Sequence, residues 1–282
     1  SFTAGLKKTA TKATVAALVL GLSFTAHAEG GADDANVVQK IGHGQVNWSA
    51  KTVTATGSGA ANLKSASVAV ARLGAERAAQ MDALRNVIET IQGIQVTGKR
   101  SAGDMMSNGE IKSRVQGFVQ SCKRADTRYY SDGSVDVVMQ CPIDDNLTSA
   151  LFSGIPAEKK PRKLPTTGAG KFSGLVVNAK NLGVVPSMAP RVVDESGKEV
   201  YGAAVVSDKG LQQGGIAGYV KDVGAAKSND RVGKQPLVVK ALRLSDGTKT
   251  DIVISNADAD KLRDPNTNLS FLAEGRVLIV VD

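Results

Sequence analysis

Apolar residues recur at two different spacings along the chain, and the change of spacing divides it into two regions. From Leu63 to Gly93 the apolar positions fit a helix of 3.6 residues per turn, with one narrow stripe along its length. We expect this stripe to pack on the core, and Gly93 to end the helix. The stripe consists of Ala66, Val70, Leu73, Met81, Leu84, Ile88 and Ile91.

Arg77 is a charged residue inside this apolar stripe. Two interpretations fit it: a buried stem whose guanidinium reaches the edge of the core, or a buried ion pair with a carboxylate. The first is favoured, because long charged side chains cover apolar surface while their head groups stay in water.

Strand patterns lie on both sides of the predicted helix. Residues 45–57 hold two alternating runs of different parity, one of them around Trp48, which predict one bulged strand or two short strands. A short strand through Ile94 and Val96, a hairpin and a helical end near residues 144–152 complete the pattern. The sequence therefore predicts an α+β fold, whose first domain (residues 45–154) is a β-α-β-β unit with one long helix on an antiparallel sheet.

Both cysteines of the chain, Cys122 and Cys141, lie at the ends of the predicted hairpin. Alternating apolar residues before Cys141 predict one strand, and Asp132-Gly133 predicts the turn. A loop over residues 130–133 places Tyr129 opposite Ser134 and the two cysteines directly opposite each other. Facing Cα atoms of paired strands are ~4.5–5.5 Å apart, which suits a disulfide. A two-residue Asp-Gly turn would shift the pair by two positions and disfavour the bond.

The residues just before Cys122 bear on the same hairpin. Ile111, Val115 and Val119 share one parity, and we take them as part of the upstream strand. Two free thiols in a redox or metal site are the rival interpretation of the cysteines. It is disfavoured because the chain has no Cys-x-x-Cys spacing and no histidine near either cysteine.

The chain after residue 171 is dominated by short runs of Val, Leu and Ile. Nearly continuous apolar runs are typical of strands covered on both faces. Two stretches that begin with a capping serine, SDKGLQQ and SNADADKLRD, predict short helices. Residues 172–282 are therefore predicted to form a second α/β domain. Its predicted strands are FSGLVVNA, PRVVDE, PLVVKALRL, TDIVIS and RVLIVVD.

The first 28 residues have the pattern of a cleavable export signal. Three lysines precede an apolar run over residues 13–24, which is shorter than the ~20 residues that span a membrane. An A-x-A site at residues 26–28 predicts cleavage between Ala28 and Glu29. We expect a periplasmic or outer-membrane-associated protein, with a flexible start over residues 29–44 and no transmembrane segment in the mature chain. In an oxidising compartment a cysteine pair is first interpreted as a disulfide.

Charge adds little to this picture. Without the signal, 32 basic and 27 acidic residues remain, a net charge of +5, which does not indicate a nucleic-acid partner. Residues 155–171, rich in proline and lysine, predict an interdomain linker. The basic run KKPRK within it either contacts an anionic surface, such as the outer membrane or peptidoglycan, or is solvated; the solvated interpretation is favoured.

Candidate catalytic residues are few. His43 is the histidine of the mature chain, and no G-x-S-x-G motif accompanies it. Asp258 and Asp260 are two residues apart on a predicted helix, so their side chains point in different directions and suit a helix start better than a metal. The sequence predicts no enzyme, no metal site and no cofactor.

Three glycines are predicted to lie in tight turns. Gly57-Ser58-Gly59 is similar to the start of a dinucleotide-binding loop, but Asn62 stands where the third glycine belongs. We therefore expect Gly57 and Gly59 to form a tight strand-to-helix turn, and Gly133 to serve the hairpin turn.

An ordered set of motifs over about residues 45–145 resembles the lipoprotein-20-like family of bacterial envelope proteins. The chain differs from the lipoprotein members of the family, because no cysteine stands directly after the cleavage site to carry a lipid anchor. The second domain looks like the C-terminal part of longer members. The motifs are Trp48, the run Thr52–Gly59, AERAA at 75–79, DALRN at 82–86, IQGI at 91–94 and DGSV at 132–135.

The resemblance implies a non-catalytic scaffold that associates with itself or with other envelope proteins. The family includes flagellar accessory components that form discs or rings around the motor, so a flagellar accessory role is one expectation. The alternative is a periplasmic module that binds cell-wall or lipid fragments in a cleft of the second domain.

Overall fold

The computed structural model describes residues 35–153, residue 155 and residues 163–282. The predicted signal peptide, its cleavage site at Ala28 and Glu29, and most of the first half of the predicted linker lie outside these residues. Among the described helices, none is both long enough and apolar enough to cross a membrane.

The first domain is a five-stranded antiparallel sheet, in the order β1-β2-β3-β7-β6, with a long helix on one face. The fold class is as predicted. The strands are β1 (Val38–Ile41), β2 (Gly44–Asn47), β3 (Thr52–Gly59), β6 (Lys123–Tyr129) and β7 (Val135–Pro142), and β4 (Gln95–Thr97) and β5 (Arg100–Ser101) form a separate pair. The helices are α1 (Val68–Gln92), α2 (Ala102–Met105), α3 (Gly109–Val119) and α4 (Asp145–Phe152).

The structure decides between the two alternatives that the sequence left open for residues 45–57. The two alternating runs are separate strands, β2 and β3, which pair antiparallel, so the bulged single strand was wrong. The segment predicted to be flexible contains β1, which pairs with β2. Trp48 lies buried in the turn between β2 and β3 and donates from Nε1 to Oε1 of Gln39 at 2.9 Å.

Over its first half, the helix α1 turns a different face to the core from the one that its apolar stripe predicted, and the two faces converge at Ile91. Its buried side chains are mostly small and recur every fourth residue. The predicted stripe is largely exposed over its first half, and Leu84 and Ile88 are half-buried. The buried residues of α1 are Ala75, Ala79, Ala83, Val87, Thr90 and Ile91.

Glycines of β3 explain this orientation. Gly57 and Gly59 are inside β3 and face α1, so the prediction of a strand-to-helix turn was wrong. A Cβ atom on Gly57 would lie 2.0 Å from the backbone nitrogen of Ala83, and one on Gly59 would lie 2.0 Å from the carbonyl oxygen of Ala75. Helix and strand therefore approach backbone to backbone, which only a face of glycine and alanine permits.

Two further predictions about this region need correction. Residues 109–119 form the helix α3, because Ile111, Val115 and Val119 are spaced for one helical face; the upstream strand predicted there was wrong. Gly93 does follow the end of α1, but with a right-handed φ of −78°. It has no side chain because a Cβ would lie 2.2 Å from Cγ2 of Ile41.

The cysteine hairpin forms as predicted, with a different register near its turn. Tyr129 pairs with Val135, not Ser134, so the loop is one residue longer than expected. An irregularity at Ala125 shifts the register back by one residue, so that Lys123 pairs with Gln140. Cys122 and Cys141 form a disulfide with Cα atoms 4.6 Å apart. Gly133 has a φ of +82° in the turn, a conformation that favours glycine.

The second domain has a seven-stranded mixed sheet in the order β10-β9-β13-β12-β8-β14-β11. All five predicted strands and both predicted helices are present, and Ser207 and Ser255 cap the helices. The strands are β8 (Gly174–Asn178), β9 (Val192–Val193), β10 (Glu199–Tyr201), β11 (Gly218–Val220), β12 (Pro236–Leu244), β13 (Ile252–Ile254) and β14 (Val277–Val280). The helices are α5 (Asp208–Gly214), α6 (Val223–Lys227), α7 (Asn256–Lys261) and α8 (Ser270–Ala273).

The two domains pack directly on each other. One continuous core of buried side chains runs through both. Met188 and Ala189 donate backbone hydrogen bonds to Gln95 and Val96 of β4, at 3.0 and 2.7 Å. The rings of Trp48 and Tyr219 meet edge to face, with centroids 5.6 Å apart. The described end of the predicted linker lies against the second domain, where Leu269 donates to the carbonyl of Pro165 at 2.9 Å.

Candidate functional site

Large apolar side chains project into solvent along α1. Val70, Leu73 and Met81 are 54%, 56% and 66% exposed. With Arg77 they are spaced at i, i+3, i+7 and i+11, so they form a single row, which we call the outer stripe. Arg77 is itself exposed and makes no ion pair with a described residue, so neither predicted role, the core edge or the buried pair, was right.

Side chains of β6 contact α1, the helix that carries the outer stripe. Arg124 of β6 donates to Glu76 and, at 2.7 Å, to Gln80, so the edge strand is joined to α1 by side chains. The bond from Arg124 holds the pKa of Glu76 below its ordinary value. The guanidinium of Arg72 lies 5.3 Å from the ring centre of Tyr129, which is also exposed. The helix that carries the stripe is therefore linked to the edge strand of the sheet by several side-chain contacts.

A second candidate site is a cleft of about 580 Å³ between the two domains. We call it the interdomain cleft. The first domain contributes the β2–β3 turn and the start of α4, and the second contributes the segment around Met188 and the end of α5. Its lining includes Trp48, Lys51, Asp145, Phe152, Ser187, Met188 and residues 211–217.

Lys51 is the unusual group of the interdomain cleft. Its φ of +53° is in the left-handed region, which a lysine seldom adopts, and such strain often marks a functional position. Its ammonium donates to the carbonyl oxygen of Gly214, across the cleft. Burial, aided by the positive charge of Arg231, lowers the pKa of Lys51 to about 8, and Asp145 acts in the opposite direction.

Arg231 lies behind the wall of the cleft and reaches the same carbonyl. Its guanidinium donates to Gly214 at 2.7 Å, to Gly215 at 2.9 Å and to Gly275 at 2.6 Å. Burial lowers the pKa of Arg231, and its Nε is buried without a hydrogen-bond partner among the described residues. Two cations thus share one carbonyl oxygen, and no described carboxylate forms an ion pair with either.

Ser187 supplies an unused polar group at the same place. It is 1% exposed, and its Oγ has no hydrogen-bond partner among the described residues. Its backbone is held by Tyr219, whose hydroxyl accepts from the Ser187 nitrogen and donates to the Ser187 oxygen, both at 2.9 Å. Burial raises the pKa of Tyr219 to about 12, so this hydroxyl stays protonated.

The residues weighed as catalytic candidates lie apart from both sites. His43 is exposed in the β1–β2 turn, with Nδ1 3.7 Å from Oε2 of Glu89. Asp258 accepts from Ser255 and Lys261 at the start of α7, as a helix-start role predicts. Within the described residues, no group of three or more His, Cys, Asp or Glu side chains is arranged to hold a metal ion.

Sequence reasoning did not find Lys51, Ser187 or Arg231. Each gains its significance from a contact far along the chain, such as the 163 residues between Lys51 and Gly214. A lysine just before a strand was the available signal, and it is too common to single out. Trp48 was found through the alternating run around it and through the family motifs, and neither indicated a cleft.

Comparison with known proteins places the second domain beside one family. Residues 174–282, from the start of β8 to Asp282, match the family model described as the second domain of Tp0624 from Treponema pallidum. The match covers less than half of the chain and lies outside residues 45–145, so the resemblance to the lipoprotein-20-like family stays a prediction. A comparison with curated proteins found no match.

Proposed function

We propose that this chain is an exported, non-catalytic protein of the bacterial envelope that builds an assembly through the outer stripe of α1. The observation that supports the proposal most strongly is the orientation of this helix. Its alanines face the sheet, while Val70, Leu73 and Met81 face solvent. Exposed apolar patches are typical of protein interaction sites.

The chemistry of the outer stripe suits packing against a neighbouring subunit. Methionine and arginine are enriched at protein interfaces, and Met81 and Arg77 are neighbours in the row. A row at this spacing is also the ridge that one helix inserts into the groove of another. The resemblance to the lipoprotein-20-like family points to a second copy of the chain as the neighbour. We propose that the copies form a disc or ring, of which the flagellar accessory structures are one example.

Native mass spectrometry of residues 29–282 tests the assembly. We expect a discrete multimer of the wild-type protein and a monomer of Leu73→Glu/Met81→Glu, because two charges on the stripe oppose its burial. The matched control is Ser113→Glu/Gln116→Glu, which places two charges on exposed positions of α3. A monomeric wild type, or a multimer that survives the stripe variant, would overturn the proposal.

Export is a separate part of the proposal. The signal pattern supports it, and so does the disulfide, which is typical of oxidising compartments. Mass spectrometry of periplasmic and outer-membrane fractions should find Glu29 as the first residue of the mature protein. Recovery of the uncleaved chain from the cytoplasm would contradict this localisation.

A binding module is the second candidate function. The interdomain cleft favours it, because its volume lies in the range of small-molecule sites, about 300–1,000 Å³. The cleft is formed between the domains rather than within the second domain, where the sequence predicted it. A module that binds cell-wall or lipid fragments would show small molecules that copurify with the monomer.

A further inference from the structure

We propose that the interdomain cleft binds a small organic molecule through a single carboxylate, which pairs with Lys51. A short peptide with a free C-terminus is the class of ligand that fits. This inference rests on the second candidate function, and it is independent of assembly through the outer stripe.

Two cations meet at the cleft without an ion pair to a described carboxylate, although the charge of Asp145 acts on Lys51. Lys51 and Arg231 both donate to the carbonyl oxygen of Gly214, and neither forms an ion pair with a described carboxylate. Buried charges in folded proteins are normally paired, because a lone charge loses its hydration without compensation. Burial of Lys51 is visible in its pKa, which is lowered to about 8. An anion beside this ammonium supplies a partner within ion-pair distance, which Asp145 does not.

The acidic side of the cleft narrows the anion to a monoanion. Asp144 and Asp145 both line the cleft. Asp144 caps α4, where Oδ1 accepts from the nitrogens of Asn146 and Leu147 at 3.0 and 3.1 Å. Asp145 is exposed and would repel a phosphate dianion, whereas it attracts the amide or ammonium of a peptide. Lys51 and Asp145 thus give the cleft both charges that a zwitterion requires.

The remaining lining accommodates the body of such a molecule. Phe152, Met188 and Leu211 supply apolar surface, and Ser187, whose buried Oγ has no described hydrogen-bond partner, also lines the cleft. A cleft of about 580 Å³ holds a ligand of dipeptide or tripeptide size rather than a polymer.

The chain provides its own reporter for a binding experiment. Trp48 is the sole tryptophan of the sequence, and it lines the cleft. Titration of residues 29–282 with the dipeptide alanyl-leucine, followed by tryptophan fluorescence, should give a saturable change. The C-terminal amide of the same dipeptide, which lacks the negative charge, should bind at least about tenfold more weakly.

Variants of Lys51 test whether this residue causes the preference for the acid over the amide. Lys51→Met keeps an apolar side chain of similar length and should bind acid and amide equally. Lys51→Arg keeps the charge and should retain part of the preference. Lys64→Met, an exposed lysine before α1, is the control and should behave like the wild type. Circular dichroism confirms that each variant is folded before it is titrated.

Each outcome decides a different point. Equal affinity of the wild type for acid and amide, or an unchanged preference in Lys51→Met, would overturn the carboxylate assignment and leave the cleft as a binding site. Inorganic phosphate that displaces the dipeptide at lower concentration would overturn the monoanion assignment. No saturable change with either dipeptide up to about 10 mM would overturn the peptide class altogether.

Discussion

The two domains fill the space between helix and sheet with opposite kinds of side chain. In the first, glycines of β3 meet alanines of α1, and the large apolar residues of α1 face out. In the second, strands such as β8 and β14 bury Val, Leu and Ile on both faces. Close backbone contact gains little apolar burial per residue, so the first domain leaves large side chains free for another surface. The second uses them for its own stability.

The interior of the second domain and the interdomain junction also differ in whether charged side chains are paired with opposite charges. The second domain pairs its buried carboxylates: Arg191 donates to Asp251 at 2.6 Å, and Arg263 donates to Asp194 at 2.6 Å. At the junction, Lys51 of the first domain and Arg231 of the second have only carbonyl hydrogen-bond partners among the described residues. The second domain therefore pairs these two buried carboxylates internally, whereas the groups for which we propose a partner or a ligand lie on α1 and at the junction.

The strongest test of the packing contrast is a side chain on Gly57. Gly57→Val forces a Cβ to within 2.0 Å of the Ala83 backbone, and the rigid helix cannot move aside without losing the interface. We expect a loss of about 4 kcal/mol in the free energy of unfolding, measured by denaturant titration.

The control for this prediction is another glycine of the same domain. Gly74 of α1 has open space around it, so Gly74→Ala should stabilise the helix by about 0.5–1 kcal/mol. Equal effects of the two substitutions would mean that α1 does not approach β3 backbone to backbone.

The contrast in charge is tested next, in the second domain. Asp251 has a fully buried side chain that accepts two bonds from Arg191. Arg191→Met leaves this carboxylate without its cation and should cost about 3 kcal/mol in denaturant unfolding. Arg243→Met removes an exposed pair with Asp246 and should change stability by less than about 0.5 kcal/mol. Similar losses of unfolding free energy from both substitutions would show that the buried pair stabilises the fold no more than the exposed pair.

The disulfide gives a somewhat smaller effect, confined to the first domain. It closes a loop with a sequence separation of 19, for which the entropy of the unfolded chain predicts about 3 kcal/mol before strain is subtracted. Cys122→Ser/Cys141→Ser should therefore lower Tm by several degrees in a thermal melt. Assembly should weaken as well, because β6 supports α1. Free thiols in freshly isolated periplasmic protein would contradict the bond.

The smallest expected effect concerns Lys51 and pH. Since its folded pKa is lowered to about 8 from 10.5, the unfolded chain binds this proton more tightly, and the charged form destabilises the fold below pH 8. The penalty disappears as the pH rises from 8 to 10.5. Lys51→Met should therefore melt slightly above the wild type at pH 7, with the difference lost by pH 10.5, while Lys64→Met shows no such trend. A lower Tm at pH 7 would contradict the account.

Sequence patterns predicted the elements well where one local signal decides them. The runs of the second domain are short but nearly continuous in Val, Leu and Ile, and Ser207 and Ser255 cap its two predicted helices through local hydrogen bonds. The cysteine pair also followed from alternation and turn chemistry, although an extra loop residue and the irregularity at Ala125 had to cancel for the cysteines to meet.

Periodicity could not decide which face of α1 is buried. It separates a face of large side chains from one of small side chains, and the hydrophobic effect alone assigns the large face to the core. The glycines of β3 reverse this assignment, because only a small face fits against Gly57 and Gly59. The interdomain cleft was equally beyond local reasoning, since it exists only where turns from both domains meet.

The central claim is that a neighbouring subunit covers the outer stripe, and photocrosslinking in intact cells tests it most directly. A photoreactive amino acid replaces Arg77 at the centre of the stripe, and a second strain has it in place of Gln116 on the exposed side of α3. The account predicts a crosslinked dimer of this chain, identified by mass spectrometry, from position 77 and none from position 116. No crosslinked dimer at position 77, or equal yields at both positions, would contradict it.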